Sequence, residues 1–265
     1  DASPTVVDFL LGRNVDLRIY ARRLSFLALS TSTIANARKV IRKWSSFEDE
    51  WNEPVTGPRV TYVEAAYRDL DAVLPNPPSE DDHPPTPVAY GQAFLRNVYS
   101  VVRSNDARWR RTLMIVVYDE HGGFADHVPP LPIDCPPPAV NLYPRFVSTG
   151  PRVPALLISP WARRLGTSHL HFDHTSILRT LAEKFAPGER RAFRIVDQAS
   201  GVDCVFRRGV ESLWSALELD ACRDDTPAIP DAPPLPPPVA GPPGLLTQAF
   251  QIGVQEITKV FGVLP

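Results

Sequence analysis

Two uninterrupted apolar runs, TLMIVVY at 112–118 and VPALLIS at 153–159, constrain this chain more than any other feature. A strand with one wet face alternates apolar and polar residues, whereas these runs do not. They predict strands buried on both faces of a parallel sheet. Shorter strands are expected at Val15–Tyr20 and at Arg59–Val63, the latter ending at Glu64. Between the strands, Tyr90, Phe94, Val98 and Val101 recur on one helical face over 87–104. Asp173 can cap a second helix to about Phe185, with Ile177, Leu178, Leu181 and Phe185 facing inward and Gly188 past its end. Strands alternating with helices give an α/β fold with a mostly parallel sheet flanked by helices.

Elsewhere the elements are shorter. Ser3 and Pro4 read as a cap and first helical residue, followed by an apolar face of Val6, Val7, Leu10 and Leu11 before Gly12. Thr86 and Pro87 repeat that pattern before the 87–104 helix. Leu27, Ile34, Ala37 and Ile41, then Trp44, Phe47 and Trp51, read as core. A glycine- and proline-rich loop separates the two apolar runs and is too long for a plain connector. Residues 1–225 are expected to form the main domain, 226–243 a proline-rich linker and 244–265 a helical tail.

With 28 basic and 30 acidic residues and no long run of either sign, the chain lacks the electrostatic footprint of a nucleic-acid-binding protein. No stretch approaches the roughly 18 to 20 apolar residues of a transmembrane helix. The three cysteines lack metal-ligand spacing; Cys204 and Cys222 read either as one disulfide or as two free thiols. The chain opens at Asp1 with neither a start residue nor a signal pattern, so a preceding segment is expected.

Chemistry concentrates between His83 and Ser176, a window holding all six histidines. They group as Asp81-Asp82-His83, Asp119-Glu120-His121, Asp126-His127 and His169 to His174. Asp119 and Glu120 follow directly on the first apolar run, so a rigid strand delivers two hard carboxylates to a sheet edge, where open α/β sheets bind ligands. Gly122 and Gly123 allow a sharp turn there. Carboxylates suit a divalent cation and the imidazoles suit proton handling; the competing reading is a strand ending in solvent. The HFDHTS segment offers either helix-terminal amides to an anion, with Thr175 and Ser176 hydroxyls nearby, or a plain Asp173 cap with His174 exposed. His83 alone reads as an exposed histidine, and Glu64 as a solvated strand terminus.

Taken together, TYVE (61–64), DDHPP (81–85), YDEHGGFADHVPP (118–130), RVPALLISPWAR (152–163) and FDHTSILRTL (172–181) resemble the bacterial phospholipase C and acid phosphatase family of the alkaline phosphatase superfamily. The resemblance spans about residues 5 to 190 and implies an alkaline-phosphatase-like fold, incomplete here at its N-terminus. It implies hydrolysis of phosphate esters, including phospholipid head groups, with a bound divalent metal of unspecified identity and a Ser or Thr nucleophile. On that resemblance Asp119 and Glu120 match metal-binding acids, and His83 and His174 match positions near the phosphate. His121, Asp126, His127 and His169 match further motif positions. The family's early Glu-Asn metal motif and its nucleophile have no counterpart here, so both are expected upstream. The resemblance also implies a secreted or cell-surface protein with peripheral membrane contact. The alternative is a catalytically degenerate phosphoesterase fold that serves as a binding or scaffold module. A zinc hydrolase built on the histidines alone is disfavoured, since no HExxH spacing occurs.

Overall fold

The computed structural model describes residues 5–53, 59–68, 78–133, 147–194, 201, 203–207, 209–225, 228–229, 231–232 and 234–237. The elements run α1 (Val6–Leu11), β1 (Leu17–Ala21), α2 (Thr31–Ala35), α3 (Ala37–Val40), β2 (Ile41–Arg42), α4 (Phe47–Asn52), β3 (Val60–Glu64), α5 (Val88–Arg103), α6 (Asp106–Trp109), β4 (Met114–Val117), β5 (Ala155–Ile158) and α7 (His174–Phe185), with short 3₁₀ turns between. They fall into two compact units, residues 1–13 with 107–226, and residues 14–106 with 227–265. Both the predicted linker, in large part, and the predicted helical tail lie outside the described residues.

The α/β expectation is met in the second unit, where β2, β1 and β3 form a parallel sheet with β1 in the middle. β1 is central because both its neighbours need its edges and its side chains are buried: Leu17 and Ile19 on one face and Tyr20 on the other. Each such aliphatic side chain contributes about 1.5–3 kcal/mol relative to exposure. Phe47 packs on Tyr20 at 4.8 Å, and Phe47 and Trp51 are both buried, which confirms the structural reading of the aromatic run. α5 buries Tyr90, Val98 and Val102 along one stripe. It starts at Val88, with Pro87 as its N-cap, one position later than the Thr86 cap expected.

In the first unit α1 is held by a capping box between Thr5 and Asp8, not by the Ser3 cap expected from the proline. Thr5 wins because its hydroxyl reaches the Asp8 amide while the Asp8 carboxylate returns to the Thr5 amide. Phe9 of this helix stacks on Phe193 at 4.6 Å, and both are almost wholly buried.

The two apolar runs do form strands, but the parallel, doubly covered arrangement predicted for them is wrong. β4 and β5 pair antiparallel, Met114 opposite Ile158 and Val117 opposite Ala155. Val117 and Leu156 are 36% and 52% exposed. An apolar run without alternation reports hydrophobicity, not strand direction. Its ends are anchored by polar bonds: Ser159 donates to the Thr112 carbonyl at 2.8 Å, and the Trp161 indole donates to the Arg110 carbonyl at 2.9 Å.

α7 begins and ends where expected, with Asp173 as cap and Gly188 at φ 83° beyond its end. Its deepest face is different: Ser176, Thr180 and Ala182 are buried, while Ile177, Leu178, Leu181 and Phe185 are only half-buried. Small residues win that face because the Thr180 hydroxyl serves as acceptor for the Leu213 amide and donor to the Ser176 carbonyl. Neither reading of Cys204 and Cys222, one shared disulfide or two free thiols, holds: Cys204 is disulfide-bonded and Cys222 is a free thiol. Among the described residues no helix is long and apolar enough to cross a membrane.

Candidate active site

The site grows from the C-terminal end of β4. Asp119 and Glu120 leave the strand exposed, and each folds one carboxylate oxygen onto the chain that follows. The Glu120 amide donates to Asp119 Oδ1 at 3.0 Å, and the Gly122 amide donates to Glu120 Oε2 at 2.7 Å. Gly122 and Gly123 carry φ of 63° and 81°, the succession a tight reversal needs and one that L side chains resist. The reversal is closed by a Phe124 amide bond to the His121 carbonyl at 3.1 Å. The glycines thereby turn the chain with only His121 between them and the two acids.

Three imidazoles are oriented by backbone carbonyls. His174 Nε2 lies 2.8 Å from the Tyr118 carbonyl, which ties the first residue of α7 to the residue before Asp119. His121 Nδ1 lies 2.9 Å from the Phe124 carbonyl. A carbonyl oxygen only accepts, so the proton sits on the bonded nitrogen in each case, leaving His174 Nδ1 and His121 Nε2 as the basic nitrogens. In the second unit His83 Nδ1 lies 2.9 Å from the Pro84 carbonyl and follows the same rule. His169 lies in the exposed run 163–170.

Asp126 is committed elsewhere. Arg152 grips it with Nε at 2.7 Å and Nη2 at 2.9 Å, and the Val128 and Arg152 amides add bonds at 3.1 Å. The guanidinium, first, and these amides hold its carboxyl well below the usual carboxylate range. His127 is 3.5 Å from the same carboxylate and points outward. Asp126 and Arg152 close the base of the long loop, and further out the Ile133 amide meets the Val147 carbonyl at 2.8 Å while the Thr149 amide meets that of Leu131 at 2.8 Å. Arg152→Ala is therefore expected to speed chymotryptic cleavage between residues 127 and 151, read by mass spectrometry of timed digests, with the rest of the cleavage pattern unchanged.

At the start of α7 the capping interpretation prevails over the anion-site one. Asp173 Oδ1 takes the Thr175 amide at 2.8 Å and the Thr175 hydroxyl at 2.6 Å, and the Ser176 amide bonds the Asp173 carbonyl at 2.9 Å. Ser176 is fully buried. The Thr175 and Ser176 amides are therefore already used, and in this first turn His174 is the exposed residue.

Glu64 departs from expectation most. It is 2% exposed, not solvated, and burial pushes its carboxyl up to about 7 despite the Ser25 hydroxyl, the Phe26 amide at 3.1 Å and the Tyr62 hydroxyl. Sequence reasoning also missed Arg152 and Arg207 as partners of Asp126 and Asp173. Neither had a local signal, since the pairs are 26 and 34 residues apart.

Asp119 and Glu120 have the donor chemistry of a hard divalent cation, two adjacent carboxylates on a rigid strand end. Among the described residues no cluster of three or more His, Cys, Asp or Glu is assembled.

Residues 4–186 match the phosphoesterase family. The chain is 31% identical over 199 residues to non-specific phospholipase C6 of Arabidopsis thaliana, covering 68% of this chain and 36% of that protein. It is 38% identical over 117 residues to phospholipase C B of Mycobacterium tuberculosis, covering 39% of this chain and 22% of that protein. Against the non-hemolytic phospholipase C of Burkholderia pseudomallei it is 29% identical over 177 residues, or 58% and 23% of the two chains. The matched regions thus span about a third or less of each of these curated relatives.

Proposed function

The chain belongs to the phosphoesterase family, and on that premise we propose that the protein hydrolyses phosphate esters as a phospholipase C does, with the phosphodiester of a phospholipid or an acid-phosphatase-type monoester as substrate. The observation that carries this reading is the His174–Tyr118 bond, which ties the imidazole of the FDHTS segment to the residue before Asp119 and Glu120 in the chain. Asp119 and Glu120 would hold part of the sphere of a divalent cation, whose charge neutralises phosphoryl oxygens and activates a nucleophile. His174 and His121, each with one nitrogen pinned to a carbonyl, are placed to handle the proton of the leaving alkoxide. His83 is assigned near the phosphate on the same reading, with Asp126, His127 and His169 in supporting roles. Asp126 supports through the Arg152 clamp, since it is too well paired to take a proton.

The nucleophile is assigned outside residues 1–265. Ser176 is buried, and the Thr175 hydroxyl is donated to Asp173. A secreted or cell-surface location is supported by the disulfide at Cys204, because disulfides persist in oxidising compartments. Peripheral contact with a lipid surface is supported by Phe124, Leu131 and Val147, exposed by 67%, 44% and 65% around the site and its long loop.

The test is hydrolysis of paired chromogenic phosphomonoester and phosphodiester substrates by the full-length protein, with and without chelator. Chelator-sensitive turnover, restored by added divalent metal, is expected, and the preferred ester fixes the substrate class. A folded protein that turns over neither ester would instead favour a catalytically degenerate binding or scaffold module.

A further inference from the structure

We propose that Arg207, outside the segment that matches the family, is a positioning residue that holds His174 in its working orientation; this rests on the site assignment above. Arg207 follows a short 3₁₀ turn, Cys204–Phe206, which is fixed from three directions. Cys204 is disulfide-bonded, and the fully buried Asp203 accepts from the Val205 amide at 3.1 Å and from the Phe193 amide at 3.0 Å. A rigid base therefore carries the guanidinium.

That guanidinium reaches three acceptors. Nη1 bonds the Thr175 hydroxyl at 3.0 Å and the Cys204 carbonyl at 2.8 Å, while Nη2 pairs with Asp173 Oδ2. The pair is mostly shielded, with side chains 12% and 18% exposed, so it lies beyond the regime of surface ion pairs that hold nothing in place. Asp173 divides its oxygens: Oδ1 caps α7 through Thr175 and Oδ2 is held by Arg207. Thr175 closes the triangle by donating to Asp173 and accepting from Arg207. His174 lies between these two residues in the chain, and its imidazole is the group that crosses to the Tyr118 carbonyl.

Without Arg207 the Asp173 carboxylate keeps only its cap contacts, and the Thr175 hydroxyl loses the guanidinium it accepts from and keeps only its bond to Asp173. The first turn of α7 then loses the brace that aims His174 at β4. A lysine can preserve the ion pair, but its ammonium is a point charge that does not reproduce the planar fork spanning Asp173, Thr175 and Cys204.

The experiment compares the full-length protein with its Arg207→Gln and Arg207→Lys variants by nitrogen NMR of the imidazoles, the His174 signals being assigned by their loss in His174→Ala. In the parent protein the neutral His174 ring is expected as a single tautomer protonated on Nε2. In Arg207→Gln the two nitrogens are expected to move toward averaged shifts, and kcat to fall by about tenfold or more with KM little changed, as for a misaligned catalytic group. Arg207→Lys is expected to lie between, and serves as the deciding variant should the glutamine substitution unfold the unit. Retention of the single tautomer and of kcat in a folded Arg207 variant would overturn the proposal. If the parent hydrolyses no ester but the tautomer still collapses on substitution, the positioning role stands and the catalytic assignment fails.

Discussion

Replacing Asp119 by asparagine in the full-length protein is expected to lower kcat/KM by about two to three orders of magnitude, the usual consequence of removing one preorganised charge-stabilising group from a phosphoryl site. The substitution is chosen for what it preserves. Asparagine Oδ1 can still accept the Glu120 amide, which Asp119 Oδ1 takes at 3.0 Å, so the reversal through Gly122 and Gly123 keeps its first bond. What it removes is one of the two negative charges at the end of β4. The metal requirement should shift in parallel, with more divalent cation needed for half-maximal activity, because a carboxylate is a much stronger ligand for a hard cation than a neutral amide. A titration of activity against metal concentration separates this from a folding defect. An unchanged kcat/KM at every metal concentration would remove Asp119 from the site.

How much of this was legible in the sequence depends on how far each determinant reaches along the chain. α7 was readable almost to the residue because its signals are local: Asp173 caps through a residue two positions on, and Gly188 takes the left-handed conformation just beyond the end. The carboxylates after β4 were readable for the same reason, as a strand, two acids and two glycines occur in unbroken succession. Strand direction was not. TLMIVVY and VPALLIS announce strands, yet nothing within either run records how far it is buried or that Met114 lies opposite Ile158.

Electrostatic partners were the other blind spot. Asp126 reads as a catalytic candidate beside His127, and only the fold reveals that Arg152 occupies both of its oxygens. Asp173 reads as a simple cap until Arg207 arrives from 34 residues away. In both cases a carboxylate is used to hold a loop or a helix end, while Asp119, Glu120 and His174 are exposed.

Glu64 supplies the clearest expected effect on stability. Its backbone carbonyl accepts the Arg22 amide at 3.1 Å at the end of the parallel sheet, so the side chain is carried inward. Arg22, whose amide makes that bond, spends its guanidinium on Glu80 at 2.9 and 3.1 Å. Burial thus acts against an anion whose compensation comes from hydroxyls and amides, and the carboxyl rises from an ordinary 4.5 to about 7. Below pH 4.5 the group is neutral whether the chain is folded or not, and the fold carries no penalty. Between 4.5 and 7 the unfolded chain releases its proton while the folded one retains it, so stability falls as pH rises. Above 7 the whole penalty is present, about 3 kcal/mol for a shift of this size. Glu64→Gln keeps the shape and an acceptor for the Phe26 amide but cannot ionise. Hydrogen exchange of the β1 amides should therefore be alike in the two proteins near pH 5 and slower in the variant at pH 8, after correction for the intrinsic exchange rate. Equal protection at both pH values would mean that Glu64 ionises without penalty, and that water or a cation reaches its carboxylate.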